Sequence, residues 1–143
     1  MVILERIWFY FQTVLHLASD PVHIAILFGS VILGIMFGAM PGLTSTLGVA
    51  LLTAMTYGMD TATAMICLLA IYVGGTYGGS YASILINIPG TAASAATALD
   101  GYPLACKGEG GRAIGLTTTA SAIGTIISML FLVSISPMIS FFA

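Results

Sequence analysis

Two places in this sequence set hydroxyl side chains directly behind a Pro-Gly pair within an uncharged, apolar run. Pro41-Gly42 is followed by Thr44, Ser45 and Thr46, and Pro89-Gly90 by Thr91 and Ser94. Pro lacks the N–H that a helix interior needs and Gly frees the backbone, so each pair predicts a break and a new helix start. A helix start presents unpaired N–H groups at the positive end of the helix dipole, and Ser or Thr there adds O–H donors. Groups of that kind hold anions such as carboxylates. Ser80 and Asn87 are further polar groups in the apolar stretch leading to the second break. An amide within such a stretch serves as interhelical glue or as a ligand.

Other chemistry is poorly served. There is no carboxylate pair, no metal-ligating cluster and no activated nucleophile, so neither catalytic residues nor an enzyme activity are expected. Cys67 and Cys106 lack metal-ligand spacing and read as plain thiols. His16 and His23 read as residues near a membrane interface, and Asp60 and Asp100 as loop or cap residues rather than proton carriers. Gly74, Gly75, Gly78 and Gly79, like Gly34-x-x-x-Gly38, are read as small residues that let helices approach closely. A single Pro-Gly can also be a tight turn at the membrane surface; two of them, each trailed by Ser or Thr, favour binding.

The elements that must position these groups follow from composition. Hydrophobic residues make up 59% of the 143, charged residues 6%, and mean hydropathy is +1.11. A soluble domain has roughly a quarter charged residues, so this chain cannot cover a water-facing surface. No Asp, Glu, Lys or Arg lies between Asp20 and Asp60, from Thr61 to Leu99, or from Ala113 to Ala143. Each window is long enough for one or two spans of about 20 residues. The fold class is therefore an all-α integral membrane protein, with several transmembrane helices and Pro-Gly-broken or re-entrant segments. Within lipid, unwound backbone survives only where it lines an enclosed cavity, which is where transporters place their sites. Three Lys/Arg residues cannot form the basic patch that nucleic acid requires.

Along the chain, residues 1–19 read as an interfacial helix with Trp8 to Phe11 at the membrane–water boundary. The mixed charges Glu5 and Arg6, and the lack of a small-x-small site, argue against a signal peptide. Asp20 is an N-cap and Pro21 a first-turn residue. Residues 20–99 hold the membrane segments with the two breaks, 100–112 a polar loop, and 113–143 a last membrane segment that meets Ser136-Pro137. Lys107, Arg112 and Arg6 all favour the cytoplasmic side, which requires an even number of crossings between them and so a segment that dips in and returns.

Three segments carry a family resemblance: GIMFGAMPGLTSTLGVALL (Gly34 to Leu52), IYVGGTYGGSYASILINIPGTAASAATALDGYPLA (Ile71 to Ala105) and KGEGGRAIG (Lys107 to Gly115). They resemble the N-terminal portion of the large membrane subunit, the TctA type, of tripartite tricarboxylate transporters. Pro41-Gly42 resembles the family's first PG motif. Tyr77-Gly78-Gly79-Ser80 with Asn87 to Gly90 resembles its second, and Asp100-Gly101-Tyr102-Pro103 the loop motif that follows. Thr44 stands where the family usually has glycine, and Cys106 where it commonly has a basic residue.

The resemblance implies a multi-pass protein of the bacterial inner membrane and a secondary transporter driven by an ion gradient. It would take up tricarboxylates or related organic acids with a small membrane subunit and a periplasmic substrate-binding protein. It also implies a longer protein with two similar halves, of which this chain matches the first. No buried Lys or Arg is available in the apolar segments, so helix N-termini, hydroxyls and Asn87 would hold the carboxylate, with Na⁺ or H⁺ balancing its charge and no other cofactor. The competing expectation is a non-transporting membrane scaffold, an assembly partner or an inactive truncated product.

Overall fold

The computed structural model describes the backbone of residues 2–142 and the side-chain surroundings of residues 8, 9 and 11–135. Six α-helices follow one another: α1 Val2–Ser19, α2 Pro21–Ala39, α3 Ser45–Thr53, α4 Thr61–Ile86, α5 Ala95–Cys106 and α6 Gly110–Phe142. Short 3₁₀ turns at Met55–Gly58 and Ala92–Ser94 lead into α4 and α5. No strand occurs among the described residues. By length and hydropathy, α2, α4 and Gly110–Ile135 of α6 can each cross a membrane.

Local chemistry sets the helix starts. Asp20, Thr44 and Asp60 each accept a backbone N–H of the first turn, from Val22, Leu47 and Thr63 respectively. Each cap satisfies one of the donors that a helix start leaves unpaired. Pro21 occupies the first turn of α2, where its missing N–H costs nothing. Asp20, between the two, separates α1 from α2.

Glycine sets the central packing. A Cβ at Gly34 would come 3.0 Å from Ile71 Cα, and one at Gly38 would lie 2.6 Å from the carbonyl carbon of Gly75. Gly74 and Gly78 of α4 meet the backbone at Val31 and Ile35 of α2 in the same way. With no side chain between them, α2 and α4 touch backbone to backbone, the arrangement small residues permit in lipid. Further along the seam Ser30 donates to Cys67 Sγ at 3.3 Å, and His23 meets Thr63 at 3.1 Å. Partner positions rise together along both helices, so α2 and α4 run parallel.

Parallel neighbours require the chain to return between them. Residues 41–60 make that return as a broken element: α3 runs antiparallel to α4, with Ser45 against Gly75 and Gly48 against Ile71. The nine residues of α3 rise only about 14 Å, half the roughly 28 Å of α2, and the 3₁₀ turn supplies part of the rest.

The second break does something different. Asn87 ends α4 in the left-handed conformation, φ 57°. The chain then doubles back until Gly90 packs on the carbonyl of Gly38 and, at 3.0 Å, on Gly79 Cα. From there α5 runs alongside the end of α4, with Gly101 against Ile84. Gly108, at φ 83°, turns the chain into α6, which goes back antiparallel to α4 with Thr118 bonded to Tyr77.

Two expected boundaries move. The polar loop read over residues 100–112 is mostly helix: α5 extends to Cys106 and α6 begins at Gly110, leaving only Lys107, Gly108 and Glu109 between them. Tertiary packing outweighs the local signals, because Gly101 is used to approach Ile84 rather than to turn the chain. α6 continues through Ser136-Pro137 to Phe142.

Candidate functional site

The two helix starts predicted from the Pro-Gly pairs meet. Ser45, at the first turn of α3, lies over Gly75: a Cβ on Gly75 would stand 2.7 Å from Ser45 Cβ. Thr91 and Ser94, at the start of the turn that leads into α5, lie over Gly79, each 3.4 Å from where its Cβ would be. Gly75 and Gly79 are one helical turn apart in the middle of α4. From this level α3 runs towards the N-terminal end of α4 and α5 towards its C-terminal end. Two helix N-termini therefore face one region of α4 from opposite directions.

A cavity of about 290 Å³ lies between them, walled by Thr44, Ser45 and Thr46 on one side and Thr91, Ala92 and Ala93 on the other, with Tyr72 and Thr76 of α4 between. Its size is near the lower end of small-molecule sites, roughly 300–1,000 Å³. The backbone N–H groups of Ser45, Thr46, Ala92 and Ala93 are first-turn groups, for which a helix supplies no acceptor. No Lys or Arg occurs between Ile7 and Cys106, and among the described residues none lines the cavity, which is walled by helix starts and hydroxyls. Such a site favours a compact anion that accepts several hydrogen bonds.

The hydroxyls divide into caps and wall groups. Thr44 Oγ1 accepts from Leu47 N at 3.2 Å, which closes the α3 start. Thr91 and Ser94 form a reciprocal capping box: Thr91 N donates to Ser94 Oγ at 3.1 Å, and Ser94 N to Thr91 Oγ1 at 3.3 Å. Ser94 is almost completely buried and donates to the Thr91 carbonyl at 2.8 Å. Ser94 therefore builds the second start from beneath rather than facing the cavity. Pro41 and Gly42 form an exposed turn, closed by Leu43 N donating to the Met40 carbonyl, with Gly42 at φ 89°. Gly90 serves close packing, and Pro89 is exposed.

Two predicted site residues lie elsewhere. Ser80 lines a separate, larger groove between α4 and α6, of about 660 Å³, together with Tyr77, Thr118 and Thr125. Tyr72 and Thr76 line both this groove and the cavity, so the two spaces adjoin along α4. Asn87 is exposed and acts as the left-handed cap of α4, a position that suits Asn through its conformation. Tyr72, Thr76, Ala92 and Ala93 were not singled out from sequence. The only available signal for the first two was their place beside the glycine cluster; alanines give none.

Residues 24–143 match the model of the tripartite tricarboxylate transporter TctA family. Over 120 residues, covering 84% of this chain, the sequence is 39% identical to an uncharacterized 52.8 kDa protein in the TAR-I ttuC' 3' region of Agrobacterium vitis. The match covers 24% of that relative, so this chain spans about a quarter of its length. No solved structure matches.

Proposed function

The chain belongs to the tripartite tricarboxylate transporter TctA family, and from that premise we propose that the cavity between α3 and α5 binds a carboxylate group of a transported organic acid. The observation that carries this reading is the opposition of the two broken-helix N-termini at Gly75 and Gly79. Half-helices that meet at mid-span, positive ends inward, are how secondary transporters hold anionic substrate groups without a buried side-chain cation.

In this reading the chain is part of the large membrane subunit of an ion-gradient-driven uptake system in the bacterial inner membrane. It works with a small membrane subunit and with a periplasmic protein that delivers tricarboxylates or related organic acids. First-turn N–H groups and the Thr46 hydroxyl orient the carboxylate, while a co-transported Na⁺ or H⁺ balances its charge. Three helices able to cross a membrane, and the absence of Lys and Arg from residues 8–106, support this assignment.

The test is uptake of labelled citrate into membrane vesicles that carry this chain with the complete set of transporter subunits. Uptake that collapses with the ion gradient, and that is lost when Ala93 becomes Asp, is expected. Gradient-independent accumulation, or membrane insertion without any uptake, would leave a scaffold as the better reading.

A further inference from the structure

The groove between α4 and α6 adjoins the cavity but has the opposite hydrogen-bonding character. The cavity presents first-turn N–H groups, whereas α4 and α6 run as continuous helices along the groove and spend their backbone N–H groups on their own turns. Hydroxyls remain, and the direction of their bonds decides what they offer. Thr76, Thr118 and Thr125 donate to the carbonyls of Tyr72, Ile114 and Ser121, at 2.9, 2.8 and 2.8 Å. A hydroxyl has one proton, so these three keep only acceptor lone pairs for a neighbour. Because the Thr118 proton goes to Ile114, the Tyr77 hydroxyl donates to Thr118, and Tyr81 donates to Tyr77 at 3.0 Å. Ser80, Ser121 and Ser128 can turn to either role. Among the described residues, no Asp, Glu, Lys or Arg lines the groove. This neutral, acceptor-rich surface suits an uncharged donor better than a second carboxylate, which can only accept.

We infer, resting on the carboxylate reading of the cavity, that the acid bound there is a 2-hydroxy acid and that Thr76 Oγ1 accepts the hydrogen bond of its hydroxyl. Thr76 and Tyr72 line both spaces, so they stand where the donor-lined cavity gives way to the acceptor-lined groove. In a 2-hydroxy acid the carboxylate and the hydroxyl sit on adjacent carbons, an acceptor beside a donor, in the same order as the two walls. Thr76 is half-buried, and its own proton is already committed to Tyr72. An acid without the hydroxyl leaves the Thr76 lone pairs unpaired and binds more weakly, which is how a site rejects such an analogue. The groove, at about 660 Å³, leaves room for the rest of the molecule beside Tyr77 and Ser80.

The experiment is isothermal titration of the complete membrane subunits in lipid nanodiscs with citrate and with propane-1,2,3-tricarboxylate, which lacks only the central hydroxyl. The unaltered protein is expected to bind citrate about fivefold or more tightly than the deoxy acid. Thr76→Val keeps the shape and removes the acceptor, so the ratio should fall to about one, and Thr76→Ser should restore the preference. Thr119 bonds to the Gly115 and Leu116 carbonyls outside both spaces, so Thr119→Val should keep the preference. Equal affinities in the unaltered protein, or a preference that survives Thr76→Val, overturns the inference. Ala93→Asp should weaken both acids alike, because it acts on the carboxylate they share. Equal affinities that are both weakened by Ala93→Asp therefore remove the hydroxyl contact and leave the cavity reading standing, whereas binding of neither acid overturns both.

Discussion

Gly90 rests on the main chain of Gly38: a Cβ placed on Gly90 would overlap the Gly38 carbonyl oxygen. This contact ties the second break to the end of α2, close to the first break, and so holds the two helix starts at one level of α4. Neither glycine is there to bend the chain. Each is there because backbone must touch backbone, and that makes both intolerant of a methyl group.

Gly38→Ala should therefore be severely destabilising. Overpacking a core commonly costs about 1–3 kcal/mol, and here the obstacle is the carbonyl group of Gly75 rather than a flexible side chain, so the upper end is expected. Gly29→Ala and Gly124→Ala, where a Cβ would meet nothing within 4 Å, should change the unfolding midpoint little. Thermal unfolding in detergent or nanodiscs separates these outcomes. Equal midpoints for Gly38→Ala and Gly29→Ala would show that the seam is looser than described.

Asn87 separates a conformational role from a ligand role. At φ 57° a β-carbon is unfavourable unless the residue is Asn or Asp, and Gly has no such penalty. Asn87→Gly should be close to neutral in stability, and Asn87→Ala should cost about 1–2 kcal/mol. Because the side chain is exposed and away from the cavity, citrate binding should be unchanged in Asn87→Gly. A tenfold loss of affinity in that variant would restore the amide to the binding site.

Asp60 gives an acid limb to stability. The Thr63 hydroxyl, helped by the Thr63 backbone N–H, holds its carboxyl below the usual carboxylate range. A folded-state value below the unfolded one adds stability that is present above about pH 4 and is lost as pH falls through the lowered value. Asp60→Asn should weaken the α4 start near neutral pH and flatten the stability profile on the acid side. Thr63→Val should do the same by removing the hydroxyl. An unchanged acid limb in both variants would place the acid sensitivity elsewhere.

Much of this arrangement was legible in the residues, for identifiable reasons. Pro41-Gly42 and Pro89-Gly90 announce breaks because proline and glycine act locally, and Asp20, Thr44 and Thr91 announce helix starts because capping is local too. The glycine spacing at Gly34, Gly38, Gly74 and Gly78 announced a close helix pair, but not that α2 and α4 are parallel or that the two breaks meet between them. Those facts depend on the return of residues 41–60, which no local signal fixes. The helical course of Asp100 to Cys106 was hidden for the same reason, since Gly101 and Pro103 look like turn residues until Ile84 is placed beside them. Tyr72 and Thr76 had no distinguishing pattern, being polar groups on a continuous helix whose exposure to the cavity is set by α3 and α5.

Ala93→Asp asks most directly whether the cavity is built for an anion. Ala93 lines the cavity and belongs to the first turn of the helix start that leads into α5. An Asp in the first turn complements the helix dipole and typically adds about 0.3–1 kcal/mol of stability. The same carboxylate would occupy the N–H groups and repel a ligand of like charge. Stability and binding should therefore move in opposite directions: an unfolding midpoint equal to or above that of the unaltered protein, with citrate affinity reduced tenfold or more, a loss of at least about 1.4 kcal/mol. Ala93→Asn, similar in size but neutral, should retain most of the affinity. Isothermal titration with citrate beside a thermal melt of the same sample reads both quantities. If Ala93→Asp and Ala93→Asn weaken binding equally, crowding rather than charge is responsible, and the opposed helix starts do not form the anion site.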